Sequence, residues 1–156
     1  MKQNNKVIKT SSIFLKKKGK VLFLLVPFIV IHLFLTYGIE MIIVNGESME
    51  PAYSHGDVVF VLKIPHSYEY GDVVVAVHDN YHVLKRVAGG PEDIVNINVA
   101  ENIGDVKMPH TILKDSYFLL GDNRSISYDS RFSDFGDIHK DKIIGKVIYK
   151  LQRRTN

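Results

Sequence analysis

Residues 72–87 read DVVVAVHDNYHVLKRV, and this stretch predicts the dominant structure of the chain. It contains two β-rich runs, Asp72–Val77 and Tyr81–Val87, on either side of a turn at Asp79-Asn80. Valine and tyrosine favour strands, whereas aspartate and asparagine are typical of turns. We therefore expect two neighbouring strands here.

Similar runs continue on both sides of this stretch, separated by Gly, Pro, Asn and Asp. They are Met41–Val44, Asp57–Lys63, Ile94–Val99, Tyr117–Leu120 and Ile143–Lys150. After residue 40 the sequence shows no long helical period and no internal repeat. The expected fold class is mostly β: one antiparallel sheet domain over residues 40–156, with residues 94–116 as a small cap outside the main sheet.

The first 39 residues have a different character. Residues 1–20 carry seven lysines and no acid, so 13 of the 20 basic and all 17 acidic residues remain for 21–156, a balance of −4. Val21–Tyr37 has no charged side chain, and extension to Ile39 approaches the roughly 20 residues of a membrane-spanning helix. A cleavable signal peptide would have a shorter apolar core and small residues at its end, which Thr36–Glu40 lacks.

We therefore predict a cytoplasmic tail over 1–20 and an uncleaved transmembrane helix over 21–39. The lysines precede the helix and should remain in the cytoplasm, so residues 40–156 should lie outside it, at the cell membrane. The acidic balance of that domain disfavours a nucleic-acid partner. The chain has no cysteine, which excludes disulfides, thiol nucleophiles and cysteine–zinc sites.

Ser48 is the first candidate for chemistry, in the turn Asn45–Pro51. A serine beside glycine and proline usually only forms a turn. The alternative is a nucleophilic hydroxyl with backbone N–H groups nearby for an oxyanion. The seven histidines form no recognisable triad or metal motif, and we interpret His78 and His82 as surface residues.

Lys85 is the candidate base. Strand alternation places it on one face with Val83 and Val87, while Arg86 points to the other face. One interpretation is an edge-strand lysine that opposes aggregation. The other is a desolvated amine, because only about one part in 2,500 of a free lysine is neutral at pH 7 and burial lowers the pKa.

The third candidate is the polar loop 121–131, GDNRSISYDSR. Its charges are paired in sequence, Asp122 with Arg124 and Asp129 with Arg131. That pattern indicates a loop held by salt bridges and able to position a hydroxyl.

Three segments together resemble the signature boxes of bacterial type I signal peptidases, in the short form typical of Gram-positive bacteria. They are GESMEP at 46–51, KRVAGGPED at 85–93 and GDNRSISYDSR at 121–131. Tyr70–Val75, Gly136–Ile138 and Ile144–Val147 resemble further parts of the family. The resemblance extends from the predicted anchor to about residue 150.

The resemblance implies a serine endopeptidase with a Ser/Lys dyad and the signal-peptidase type of antiparallel fold. Ser48 matches the nucleophile, Lys85 the general base, and Ser127 the serine that orients the lysine. Asp129 and Arg131 match a structural ion pair beside the site.

The remaining implied roles concern support and substrate. Asp122 supports the ion pair, and Gly46 stands where some relatives have a serine, which leaves only main-chain oxyanion donors at that position. Met49 and Pro51 are assigned to the substrate site. The implied substrates are exported preproteins with small residues at −1 and −3, bound as an added strand next to membrane lipid. No metal or organic cofactor is implied.

Two alternatives remain at this point. One is a non-catalytic or dedicated member of the family that acts as a chaperone or processing factor in surface pilus assembly. The other is a relative of self-cleaving repressors, which share the Ser/Lys chemistry but need a DNA-binding domain where the predicted anchor lies.

Overall fold

The computed structural model describes residues 25–34, 36, 38–63, 67–97 and 104–152. Residues 1–38 and residues 39–156 form two separate compact units. In the described part of the second unit the regular structure is nine strands and one short 3-10 helix, Lys140–Lys142, joined by turns and loops. The strands are β1 (Ile39–Ile43), β2 (Val58–Leu62), β3 (Val73–His78), β4 (Tyr81–Gly89), β5 (Ile94–Val95), β6 (His110–Thr111), β7 (Ser116–Leu120), β8 (Ile138–His139) and β9 (Ile143–Leu151).

Seven of these strands form one sheet in the order β1-β2-β9-β3-β4-β7-β8, and every neighbouring pair is antiparallel. The prediction of a mostly antiparallel β fold is therefore confirmed. Strands β3 and β4 pair from Val73↔Arg86 to His78↔Tyr81. Asp79 and Asn80 both have positive φ, 46° and 66°, which matches the right-handed twist of a two-residue hairpin.

The sheet is buried on both faces around β3, where Val73–Ala76 are all buried. One face packs Val74 and Val87 with Leu119. The other packs Val75 with Val59 and Val61. Because β4 follows the same alternation, Lys85 lies on the Val87 face and is only 4% exposed. The two-sided core explains how a lysine comes to be buried in a strand.

A second, two-stranded sheet is formed by β5 and β6. Val95 and Ile112 from this part of the chain pack on Phe118 and Leu120 of β7. The excursion predicted over 94–116 contains this small sheet, although residues 98–103 lie outside the described part. Strand β5 is shorter than the predicted run Ile94–Val99, whose last two residues lie outside the described part.

In the first unit, residues 25–34 and 36 are helical. Within the described part of the chain, no helix has the length and apolar character needed to cross a membrane. The predicted anchor over 21–39 falls partly outside the described residues, and the predicted tail over 1–20 falls wholly outside them. Ile39 itself is the first residue of β1 and not part of a helix.

Candidate active site

Ser48 lies on the loop that joins β1 to β2. Two backbone bonds close the base of this loop: the Val44 N–H donates to the Asp57 carbonyl (2.8 Å) and the Gly56 N–H donates to the Val44 carbonyl (2.9 Å). Gly46 has a φ of +101°, a conformation that side-chain-bearing residues rarely adopt. The glycine thus permits the sharp entry into the turn that presents Ser48.

The structure brings the two predicted dyad residues together. Lys85 Nζ donates a hydrogen bond of 2.9 Å to Ser48 Oγ. Burial lowers the pKa of Lys85 below its ordinary value of 10.5, and this is the largest influence on it. Asp129 raises that pKa, Arg131 lowers it and Asp122 raises it, so the nearby charges partly offset one another.

Ser48 and Lys85 lie in a cleft of about 340 Å³. Its walls come from the end of β1 with the following turn and from the β4 segment 82–85. Met49, 1% exposed, lines this cleft, whereas Pro51 is exposed and does not line it. The other lining residues are Ile42, Ile43, Val44, Asn45, Gly46, Val59, Val75, His82, Val83 and Leu84.

The two histidines interpreted as surface residues behave differently. His82 is exposed and lines the cleft. His78 is not a surface residue: its side chain is 12% exposed and its ring stacks on Phe135 with centroids 4.2 Å apart. The described residues contain no group of three or more His, Asp or Glu side chains that could hold a metal ion.

The loop 121–131 contacts the Ser48 backbone directly. The Asn123 N–H donates to the Ser48 carbonyl (3.0 Å). A Cβ at Gly121 would collide with the Ser127 side chain and the Ser48 carbonyl, so a glycine is required where the loop passes Ser48. The sequence pattern marked this loop as polar but not as a backbone contact of Ser48.

Asp129 and Arg131 form the predicted ion pair, and both side chains are fully buried. Arg131 Nε donates to Asp129 Oδ1 (2.8 Å) and Arg131 Nη2 to Asp129 Oδ2 (3.0 Å). Asp129 also accepts from the Gly121 N–H (2.9 Å), and Arg131 donates to the carbonyls of Arg124 (2.8 Å) and Ser127 (3.1 Å). These bonds satisfy both charges inside the loop.

The sequence pattern pairs Asp122 with Arg124, but in the structure the Asp122 carboxylate binds Arg86. Both of its carboxylate oxygens accept hydrogen bonds from Arg86, at 2.7 and 2.6 Å. Arg86 also donates to the Gly71 carbonyl (2.7 Å). Sequence reasoning paired Asp122 with Arg124 and assigned Arg86 no partner. The alternation in β4 does send Arg86 to the face opposite Lys85.

Ser127 is 3% exposed and lies against Gly121. Its hydroxyl has no hydrogen-bond partner in the described part of the chain, so the structure does not show it bonded to Lys85. The orienting role assigned to Ser127 by resemblance thus remains a prediction.

The chain was compared with known proteins. A family model described as "Signal peptidase, peptidase S26" matches residues 98–151, and one described as "Peptidase S24-like" matches residues 38–102. Signal peptidase IB of Staphylococcus aureus is 31% identical over 163 residues, covering 81% of this chain and 84% of that protein. The chain belongs to the signal peptidase I family. Ser48 and Lys85 both lie in the part matched by the S24-like model. The relatives that cover most of the chain are named signal peptidases.

Other signal peptidase I sequences give the same relationship. Signal peptidase I P of Bacillus subtilis subsp. natto is 29% identical, covering 83% of this chain and 88% of that protein. The crystal structure of a signal peptidase I from Enterococcus faecalis aligns with 52% of this chain and 97% of that one, at 20% identity and a TM-score of 0.38. Family membership rests on the sequence relatives.

Proposed function

We propose that this signal peptidase cleaves exported preproteins with Ser48 as the nucleophile and Lys85 as the general base. The observation that carries the proposal is the 2.9 Å contact between Lys85 Nζ and Ser48 Oγ. The lysine is buried, its pKa is lowered, and both groups open into one cleft. A serine endopeptidase needs this combination of a hydroxyl and a base that is neutral when it acts.

The reaction follows from the proton on Lys85. When the amine is neutral, Ser48 Oγ–H donates to Nζ and the oxygen attacks the scissile carbonyl carbon. Lys85 takes the hydroxyl proton and then gives it to the leaving amine of the mature protein. The Lys85 amine then takes a proton from a water molecule, which attacks the acyl-enzyme. The signal peptide leaves with a free carboxylate, and the proton returns from Lys85 to Ser48 Oγ.

The oxyanion formed on attack requires donors fixed in advance. The Ser48 main-chain N–H, with a neighbouring group, would fill this role. Gly46 supplies no side chain at the position where some relatives have a serine. The bonds from Asn123 and within the 121–131 loop keep the turn rigid, which supports a donor that does not have to reorganise.

The cleft favours an extended substrate with small side chains. Strand β4 pairs with β7 from Arg86 onward, and among the described residues no strand pairs with 82–85 on that side, so this edge can accept an added strand. Met49, Val44 and Leu84 line shallow apolar walls. These features support preproteins with small residues at −1 and −3.

The membrane anchor is part of the same proposal. The charge-free run 21–37, extended to 39, and the lysines before it support a tail in the cytoplasm, one span through the lipid, and the β-rich domain of residues 40–156 on the outside. That location would bring the cleft to substrates that are themselves held at the membrane.

Cleavage of a fluorescent peptide with an Ala-x-Ala site by the full-length protein, in detergent and phospholipid, tests the function. Ser48→Ala should lower kcat by at least about a thousandfold, because no other hydroxyl replaces Oγ. Ser54→Ala, in the same loop, should keep wild-type turnover. Measurable cleavage by purified Ser48→Ala would refute the nucleophile. A Ser48→Ala protein that still restored surface-protein assembly in a deletion strain would favour the chaperone alternative.

A further inference from the structure

Four rings pack together where the β3–β4 hairpin meets the end of the 121–131 loop. His78, the last residue of β3, stacks on Phe135 with centroids 4.2 Å apart and planes inclined by 23°. The Tyr128 ring lies 5.0 Å from Phe132 and 5.6 Å from Phe135, and it lies 6.0 Å from His78. Aromatic rings in contact stabilise a fold beyond the burial of their area. These four side chains form an aromatic cluster.

The aromatic cluster belongs to the sheet face that carries Lys85. Phe135 packs in the core with Val74 and Val87, and Val83 packs against that core from its margin. Val83 and Val87 flank Lys85 on this face of β4, and Val74 is the residue paired with Lys85 on β3. The cluster therefore borders the apolar surroundings in which Lys85 is buried.

Tyr128 links the cluster to the Ser48 region through its neighbours in the chain. Ser127 and Asp129 are 3% and 0% exposed, whereas Tyr128 between them is 42% exposed. A Cβ at Gly121 would meet both the Ser127 side chain and the Ser48 carbonyl, so Ser127 lies beside the Ser48 backbone. Movement of Tyr128 would therefore displace a buried residue on each side of it.

The charges that act on Lys85 come from the same loop. Burial lowers the pKa of Lys85 and is the largest influence on it. Asp129 raises this pKa, Arg131 lowers it and Asp122 raises it. Exclusion of water thus affects the amine more than any one of these charges does. A loop that moved away from β4 would hydrate the amine and return its pKa toward 10.5.

We propose that Tyr128 is a positioning residue for the dyad: held by the aromatic cluster, its ring keeps the 121–131 loop packed over Lys85 and so keeps water from the amine. This inference rests on the proposed function, because hydration of the amine matters for turnover when Lys85 is the general base. The role belongs to the ring, since Tyr128 touches neither the Ser48 hydroxyl nor the Lys85 amine through any hydrogen bond among the described residues.

The titratable groups at the cluster are the phenol of Tyr128 and the imidazole of His78. A hydrogen bond to Asp134 is the largest of the influences that raise the pKa of Tyr128 to about 12, and Asp79 and Asp105 add to it. The phenol therefore stays neutral over the pH range of the test. His78 Nε2 lies 3.3 Å from the Asp79 carboxylate, and both residues are present in every protein compared.

The test is the pH profile of kcat/KM for the Ala-x-Ala peptide, measured with the full-length enzyme from about pH 6 to about pH 10. Tyr128→Ala removes the ring and should move the midpoint upward by about one pH unit, because a hydrated amine has a higher pKa. A neutral fraction about tenfold smaller should lower kcat/KM about tenfold at pH 7, and this difference should shrink toward pH 10. Tyr128→Phe retains the ring contacts and should keep the wild-type midpoint.

Tyr81→Ala is the matched control, because Tyr81 lies in the same hairpin, is 74% exposed and has no ring contact among the described residues. It should keep the wild-type profile. If Tyr128→Ala does not fold, Tyr128→Leu retains apolar volume without the ring and should also move the midpoint upward.

Two kinds of result separate this inference from the proposed function. An equal loss of kcat/KM at every pH, or an unchanged midpoint in the folded variants that lack the ring, would overturn the positioning role of Tyr128 and leave the proposed function intact. Absence of cleavage by wild type, or a wild-type profile that does not rise with pH, would overturn the proposed function and the positioning role with it.

Discussion

At the scale of single residues, Lys85 shows a conflict between stability and chemistry. A charged amine that is 4% exposed is costly to bury, and the hydrogen bond that Lys85 Nζ donates goes to a neutral hydroxyl, that of Ser48. The same burial lowers its pKa, which makes the neutral, reactive form accessible. The residue that we propose as the general base is therefore expected to weaken the fold that holds it.

Replacing Lys85 with methionine should remove this cost. Because burial lowers the pKa of Lys85 in the folded protein, the unfolded chain binds more protons between that pKa and 10.5, and wild-type stability rises with pH in this window. Methionine has a side chain of similar length to lysine. The Lys85→Met protein should therefore be inactive but more stable than wild type at pH 7, with a Tm higher by about 2–5 °C. Thermal unfolding at several pH values measures the difference, which should shrink toward pH 10.5.

Lys63→Met is a suitable control, because Lys63 is exposed and pairs with Glu40 at the surface. Its stability relative to wild type should not show the same pH dependence. A Lys85→Met protein that melts below wild type at pH 7 would contradict the account of a destabilising buried charge.

Strand alternation and a tight turn, which are local properties, made Ser48 and Lys85 candidates, and the resemblance to a known family supplied their expected roles. It did not foresee that His78 packs on Phe135, since that contact joins segments far apart in the chain. The same limit applies to Asp122, whose partner Arg86 lies 36 residues away. Charge patterns within a loop show which residues need partners, but not which partners the fold supplies.

At the scale of elements, Lys150 of strand β9 contacts the loop that carries Ser48. Lys150 Nζ donates to the Ala52 carbonyl (2.9 Å) and lies 3.7 Å from the buried Asp57 carboxylate. It also lies 5.5 Å from the centre of the Tyr53 ring. A lysine 98 residues from Ala52 thus holds the loop that carries Ser48.

Lys150→Met should loosen this loop and lower kcat about tenfold with little change in KM, because misplacement of the nucleophile affects attack more than binding. Lys150→Arg should recover most of the activity by restoring the charge. Steady-state kinetics on the Ala-x-Ala peptide provide the measurement. Lys146→Met is the matched control: Lys146 lies on the same strand but pairs with Asp72. Equal losses in the two methionine variants would contradict a specific role for Lys150.

Each of the six longer strands begins and ends within two residues of its predicted bounds, because each carries a run of apolar residues. Strands β6 and β8 have two residues each and were not predicted. A two-residue strand contains no period, and its pairing depends on the partner that the tertiary fold provides: Ser116 and Tyr117 of β7 for β8, and Ile94 and Val95 for β6.

At the scale of the whole molecule, the chain combines a lysine-rich, apolar N-terminal segment with an enzyme domain of opposite net charge. The sequence predicted the enzyme domain well, because several motifs occur in the order found in a known family. The membrane topology rests on charge and length alone, and it calls for its own experiment.

The full-length protein should sediment with membranes and resist extraction with alkaline carbonate, as expected for a spanning helix. A variant that lacks residues 1–38 removes the first compact unit and should be released into the soluble fraction. Because the dyad lies wholly within the second unit, the truncated protein should still cleave the short peptide. Release of the full-length protein by carbonate would contradict the predicted anchor.

The pH dependence of kcat/KM for the Ala-x-Ala peptide tests the dyad most directly, measured with the full-length enzyme from about pH 6 to about pH 10. Only the neutral Lys85 amine can accept the Ser48 proton, so kcat/KM should rise with pH and level off above the pKa of Lys85, which burial holds below 10.5. A flat profile across this range would contradict lysine as the general base.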